Sequence, residues 1–160
     1  CYGFINQNHP IGIIAIWYNQ NVDGNKYLSC RGVIVKDGKV LLMHRKKDGK
    51  EYWVFPGGHT EENETPEETL RREIWEESSL RVTKVYRMYP YTHDSNGIRE
   101  CFFTCEVEAG EPRVHSSGTE KNTRRDWYNP EWVAMSKAKK LTNLYPEAIK
   151  RDFLRLYENQ

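Results

Sequence analysis

Between Phe55 and Leu80 the chain reads FPGGHTEENETPEETLRREIWEESSL, and this stretch constrains the fold more than any other. Pro56-Gly57-Gly58 interrupts the backbone sharply. A helix start follows, with Thr65 as N-cap, Pro66 at the first helical position and Glu68 as the reciprocal acid of a capping box. The spacing predicts a helix from there to near Glu77. Leu70 and Ile74 form an apolar stripe suited to packing on a sheet. Glu73, Glu76 and Glu77 stand at i, i+3 and i+4, which gathers their carboxylates on the adjoining face within about 100°. A chain with this segment must carry a sheet, a sharp turn, and one helix lying on that sheet with an acidic flank.

The flanking sequence supplies strands. Ile11 to Tyr18, Tyr27 to Val35, Val40 to Arg45 and Tyr52 to Phe55 precede the helix, with Asp23-Gly24 and Asp37-Gly38 as turn signals and a loop from Lys46 to Glu51. Val82 to Tyr91, Arg99 to Val107 and Trp127 to Met135 follow, separated by His93 to Gly97 and Glu108 to Asp126. Leu144 to Tyr157 reads as a closing amphipathic helix, with Pro146 in its first turn and Ala148, Phe153, Leu154 and Tyr157 as packing positions. Strands interrupted by one central helix and ended by another predict an α/β or α+β sandwich. At 160 residues with 38% apolar content, the chain is expected to form a single domain over 1–160. Residues 1–26 are expected to form an N-terminal strand or hairpin extension.

Charge and cysteine content exclude several classes. Eight carboxylates lie between Glu61 and Glu77 against Arg71 and Arg72, although the whole chain carries only +1. A nucleic-acid binder would show a basic face without that acidic counterweight. Cys101 and Cys105 fall four apart in a predicted strand, about 13 Å at 3.3 Å per residue, too far for a disulfide or a shared zinc. With Cys1 and Cys30 they read as free thiols of a reducing compartment, and no apolar run or leader-like start argues against the cytoplasm.

The acidic face is costly as decoration. Like charges one turn apart cost about 0.2–0.5 kcal/mol each. Carboxylates in the last turn also oppose the helix macrodipole, at about 0.3–1 kcal/mol each. A divalent cation reverses that balance, and hard oxygen donors point to magnesium or manganese. The alternative is a plain charged helical face, which the position of the charges and the preceding Gly-Gly turn disfavour.

Gly58, Glu64, Arg72, Glu73, Ile74, Glu76, Glu77 and Leu80 together match the spacing of the Nudix box, and WVFPGG at Trp53 to Gly58 is similar to the strand and turn that enter it. The resemblance covers Tyr27 to Met135. Two positions depart from the pattern: Ser79 stands where the box has its last glycine, and Asn63 where a glycine commonly precedes the Glu64 position. Glycine at both would ease a left-handed turn; Asn63 tolerates that backbone, and Ser79 is expected either to keep the cap at a cost of about 1 kcal/mol or to shift the helix end.

The resemblance implies an α/β/α sandwich with a mixed central sheet. It also implies hydrolysis of a diphosphate linkage in a nucleoside diphosphate joined to another moiety, with Mg²⁺ or Mn²⁺ as cofactor. Carried over by position, Glu76 and Glu77 become metal ligands, and Glu73 a further ligand or the group that orients and deprotonates water. The Gly57 carbonyl becomes a backbone ligand. Gly58, Glu64 and Arg72 become orienting residues, Glu64 with an auxiliary metal role. Glu120 becomes a ligand or base from a later loop, its plainer reading being a solvated charge. Arg45 is similar to a phosphate-contacting arginine, or is only a solvated strand end.

The expected partner is a nucleotide-type small molecule, with no nucleic acid or membrane involved and a homodimer compatible. A nucleoside triphosphate pyrophosphohydrolase is favoured. The alternatives are cleavage of ADP-ribose, a dinucleoside polyphosphate or a nucleotide sugar, or a non-catalytic nucleotide-sensing module. The proline that marks many ADP-ribose-cleaving relatives is replaced by Ser95. An isoprenoid-diphosphate isomerase would need a catalytic cysteine beside the metal. Tyr89, Tyr91, Phe102, Phe103, Trp127, Tyr128 and Trp132 are candidates for a base-stacking wall or for core packing.

Overall fold

The computed structural model describes residues 28–92, 99–115, 122–123 and 125–157. The expected N-terminal strand and extension, the Asp23-Gly24 turn, Cys1, the His93 to Gly97 loop and Glu120 lie outside the described residues. The elements are β1 (Leu28–Lys36), β2 (Lys39–Lys47), β3 (Lys50–Val54), β4 (Gly57–His59), α1 (Pro66–Ser78), β5 (Val82–Thr92), β6 (Arg99–Val107), β7 (Asp126–Ala134), α2 (Met135–Ala138), β8 (Leu144–Tyr145) and α3 (Glu147–Tyr157).

Two hairpins set the register of the first three strands. Lys36 faces Lys39 across Asp37-Gly38, whose φ values of 48° and 69° give the two-residue turn that matches strand twist. Lys47 faces Lys50 across Asp48-Gly49 in the same way, with φ of 49° and 78°. The second hairpin corrects the expected loop from Lys46 to Glu51. The Asp-Gly signal was present, but its lysine flanks lack the apolar alternation that marks a strand.

The strand order is β5-β6-β1-β2-β3-β8, with β4 also on β1 and β7 also on β2. β1–β6 and β3–β8 are parallel and the other pairs antiparallel. β1 divides one edge between two partners: Val35 and Lys36 pair with β2, whereas Ser29 to Arg31 pair with β4. The sheet therefore forks at the Gly57-Gly58 turn.

Alternation along the strands feeds two cores. Cys30, Ile34, Leu41, Phe103 and Cys105 face α1, where they meet Leu70 and Ile74. Val33, Leu42, Trp53 and Phe102 face the other way, towards Phe153 of α3. The mixed sheet between helices is the expected sandwich. Cys101 and Cys105 share the α1 face, as a spacing of four in a strand requires. Among the described residues no helix is long and apolar enough to cross a membrane.

The C-terminal segment differs from expectation. Leu144 and Tyr145 form β8 by pairing with Trp53 and Val54, so the helix begins only at Glu147. Met135 opens the short α2 instead of ending β7. Phe153, Leu154 and Tyr157 pack as expected, whereas Ile149 replaces the expected Ala148, which stays half-buried outside the cluster.

Candidate functional site

α1 starts and stops as its sequence dictates. The Thr65 hydroxyl accepts from the Glu68 N–H while the Glu68 side chain accepts from the Thr65 N–H, closing the capping box. Ser79 takes the left-handed cap at φ 57° and Asn63 sits at φ 67°. Both polar residues thus adopt the backbone of the glycines they replace. α1 packs on β1, β4 and β7, which sets its acidic face over the fork in the sheet.

The two glycines of the turn are needed for different reasons. At Gly57, φ is 136° and a Cβ would fall 2.1 Å from the Cys30 carbonyl oxygen, a clash no side chain survives. At Gly58 a Cβ would fall 2.6 Å from the Glu73 carboxylate, so that acid lies directly against the main chain. The Gly57 N–H donates to Glu77 Oε2 at 2.8 Å. The Gly57 carbonyl accepts from Arg31 Nη1 at 3.2 Å, leaving room on the oxygen for a second partner.

Glu77 is half-buried, with one carboxyl oxygen held by the Gly57 N–H. Burial pushes it up to about 7, against the pull of the Gly57 N–H and of Arg31 and Arg45, while Glu73 adds to the rise. Arg72 gathers the remaining acids. Its Nε and Nη2 donate to the two oxygens of Glu64 at 2.6 and 2.9 Å, and its Nη1 donates to Glu73 Oε1 at 2.9 Å. Glu76 lies 3.7 Å from the same guanidinium, so Arg72 serves chiefly Glu64 and Glu73. That paired contact holds the Glu64 carboxyl down at about 2. Arginines therefore supply part of the countercharge that the bare sequence leaves unaccounted for.

Arg45 lies on β2 on the α1 side of the sheet, opposite Tyr128 of β7. Its Nη2 reaches Asp126 at 3.4 Å and its guanidinium carbon sits 5.7 Å from the Tyr128 ring centre. Its Nε is buried without a hydrogen-bond partner. Tyr128 is buried; burial raises its hydroxyl and the charge of Glu77 adds to the rise, so it lies within the field of these acids. The structure thus brings together Arg45, Gly57, Gly58, Glu64, Arg72, Glu73, Glu76 and Glu77. Glu120 lies outside the described residues.

Sequence reasoning missed Arg31 and Glu100. Arg31 Nε donates to Glu100 Oε1 at 2.7 Å, and Nη1 also holds the Phe55 carbonyl at 3.1 Å. Glu100 is only 5% exposed. The available signal was a charge set beside apolar strand residues, Arg31 in CRGVIV and Glu100 in ECFF. A buried ion pair seldom repays its desolvation, so its retention points to a positional task.

The aromatic candidates separate clearly. Phe102 and Phe103 are core, Tyr89 and Tyr91 pack against it, and Trp132 packs on the α1 side with its Nε1 on the Gly110 carbonyl. Trp127 meets His44 edge-on, on the face away from α1. Tyr128 packs beside Arg45 and feels the charge of the α1 acids. The described cysteines are free and buried, with Cys30 and Cys101 in sulfur contact at 3.0 Å across β1 and β6. Burial pushes Cys105 up to about 12, and the contact with Cys30, together with burial, raises Cys101. Thiols held protonated in a core do not serve as nucleophiles.

A family model described as NUDIX domain matches residues 26–151. The chain is 34% identical over 108 residues to a MutT-like protein of Streptomyces ambofaciens, covering 67% of this chain and 66% of that protein. It is 38% identical over 76 residues to an 8-oxo-dGTP diphosphatase of Proteus vulgaris, covering 46% of this chain and 68% of the relative. A NUDIX-family hydrolase structure from Clostridium perfringens superposes with a TM-score of 0.63 at 20% identity, covering 83% of this chain and 99% of that one, a likeness of fold.

Proposed function

This chain belongs to the Nudix family, and from that premise we propose that it is a divalent-cation-dependent hydrolase of a diphosphate linkage in a nucleotide, with a nucleoside triphosphate as the favoured substrate. The observation that carries this reading is the meeting of opposite needs in one hollow. Glu77 is a half-buried carboxyl that burial pushes up to about 7, and Arg45, whose charge it feels, has its Nε buried without an acceptor. A cation relieves the first and a phosphate oxygen the second.

Among the described residues no three acidic, histidine or cysteine side chains converge as a ready-made cage. The donor set nonetheless suits magnesium or manganese, being carboxylates without thiol or imidazole beside a main-chain carbonyl. Glu73, Glu76 and Glu77 would hold the ion, with the Gly57 carbonyl and Glu120 as further ligands. When bound, the ion polarises phosphoryl oxygens and neutralises the leaving phosphate.

The remaining work falls to the chain. Glu73, clamped between Arg72 and the Gly58 main chain, orients the attacking water or takes its proton. Arg72 fixes that carboxylate and is itself held by Glu64. Arg45 binds a phosphate oxygen through its unmet Nε and by charge.

The test is a panel of nucleoside triphosphates, ADP-ribose, dinucleoside polyphosphates and nucleotide sugars, assayed with Mg²⁺ or Mn²⁺ and with chelator. Triphosphate cleavage that chelator abolishes is expected. A faster rate on another class moves the substrate assignment, and no metal-dependent cleavage of any of them rejects the hydrolase reading.

A further inference from the structure

Four successive carbonyls line the Gly57-Gly58 turn, and β1 meets every one of them. The Gly32 N–H donates to Pro56 at 2.8 Å and the Ser29 hydroxyl to Gly58 at 3.1 Å. Phe55 and Gly57 are both served by one side-chain nitrogen, Arg31 Nη1, at 3.1 and 3.2 Å. Arg31 Nε is turned to Glu100 at 2.7 Å. A planar guanidinium fixed at Nε has little freedom left at Nη1, so Glu100 sets the direction from which the Gly57 carbonyl is held.

Alternation along the strands places this pair on the far side of the sheet from the acids. Cys30 and Cys101 face α1, so their neighbours Arg31 and Glu100 leave β1 and β6 on the other side. Gly57 is thus gripped twice. Its N–H is held by Glu77 of α1 at 2.8 Å, and its carbonyl is held from behind by Arg31. Glu100 also matters for charge. A bare guanidinium behind the turn would repel a cation, and a carboxylate at 2.7 Å offsets that field while leaving the donors in place. As a fold device the pair is a poor choice, since apolar side chains of like volume commonly hold buried strands as well or better.

We propose that Arg31 and Glu100 are positioning residues that aim the Gly57 carbonyl at the cation. The inference rests on the hydrolase reading, in which that carbonyl is a metal ligand. Arg31 takes one lone pair of the oxygen and leaves the second for the ion. Removing an outer partner of this kind costs about 10–100-fold in metal affinity.

The test uses the full chain, freed of metal, with Mn²⁺ as the probe. Electron paramagnetic resonance counts free Mn²⁺, and melting is followed in chelator. Arg31→Met combined with Glu100→Leu replaces the pair by apolar side chains, whereas Arg31→Lys keeps the charge and loses the fork. The double variant should melt in chelator at or above the wild-type temperature, yet bind Mn²⁺ about tenfold more weakly or worse. Arg31→Lys should weaken binding by about threefold or more at an unchanged melting temperature, and it decides alone if the double variant does not fold. Affinity within about twofold of wild type overturns the proposal. Tighter binding overturns it as well, because Arg31 would then be only a repelling charge. Weaker binding found only where melting also falls overturns it too, since the pair would then hold the fold and not the ligand. Wild-type protein that binds Mn²⁺ but cleaves no nucleotide removes the hydrolase reading and leaves the positioning role to the affinities. Wild-type protein that binds no Mn²⁺ overturns both.

Discussion

Glu77 combines two properties that single-residue chemistry can separate. Glutamine in its place can still accept from the Gly57 N–H, so the turn should persist, but it carries no charge for a cation. Glu77→Gln is expected to abolish turnover with an unchanged circular dichroism spectrum; full activity would remove the metal-ligand assignment. For Glu120 the argument comes from position in the sequence alone: Glu120→Gln should slow turnover at least tenfold, about 1.4 kcal/mol in barrier, and an unchanged rate would reduce it to a loop charge. Glu64 gives a prediction in stability. Its folded carboxyl lies at about 2 against an ordinary value of 4.5, because Arg72 donates to both its oxygens. Between those values the unfolded chain binds more protons than the folded one. The contribution is thus complete above pH 4.5 and lost as pH falls towards 2. In urea titrations of chelated protein, Glu64→Gln should lower stability at pH 7 and flatten the acid limb in that window. A parallel acid limb in variant and wild type would show that the pair is worth nothing.

At the scale of elements, α1 shows how local signals survive imperfect residues. Its capping box closes as the sequence predicts, and its C-terminal cap takes a left-handed conformation although serine occupies it. The Ser79 N–H still donates to the Trp75 carbonyl at 2.8 Å, so the hydrogen bonding is intact and the cost lies in the backbone at φ 57°. Ser79→Gly should therefore stabilise by about 1 kcal/mol, read as a melting temperature higher by about 2–4 °C. No change would mean that Ser79 is unstrained there. The Asp48-Gly49 hairpin carries the opposite lesson. The turn chemistry was written in two residues, but exposed lysines on both sides hid the ends of the strands that it joins.

For the whole molecule, the fork at β1 matters most, because it sets the Gly57-Gly58 turn against α1, which also packs on β7, and this is the proposed hollow for a cation. If that hollow binds a cation only when folded, saturating Mg²⁺ or Mn²⁺ stabilises the entire domain. At a hundred times Kd the gain is about 2.7 kcal/mol, or roughly 5 °C and more in melting temperature. Glu77→Gln should lose that gain. Differential scanning calorimetry showing no metal-induced shift, with or without nucleotide, would remove the cation from the account. The features that could be read from the chain alone were those set within a few residues: the ends of α1, the Asp37-Gly38 turn, and the grouping of Glu73, Glu76 and Glu77 on one face. Caps, turns and helical faces draw their energy from neighbours at i+1 to i+4, so they are legible in order of sequence. Strand pairing draws its energy from residues far apart in the chain. Only the folded structure could bring Arg31 to Glu100 and the Gly57 carbonyl, and take Leu144 and Tyr145 from the closing helix into β8.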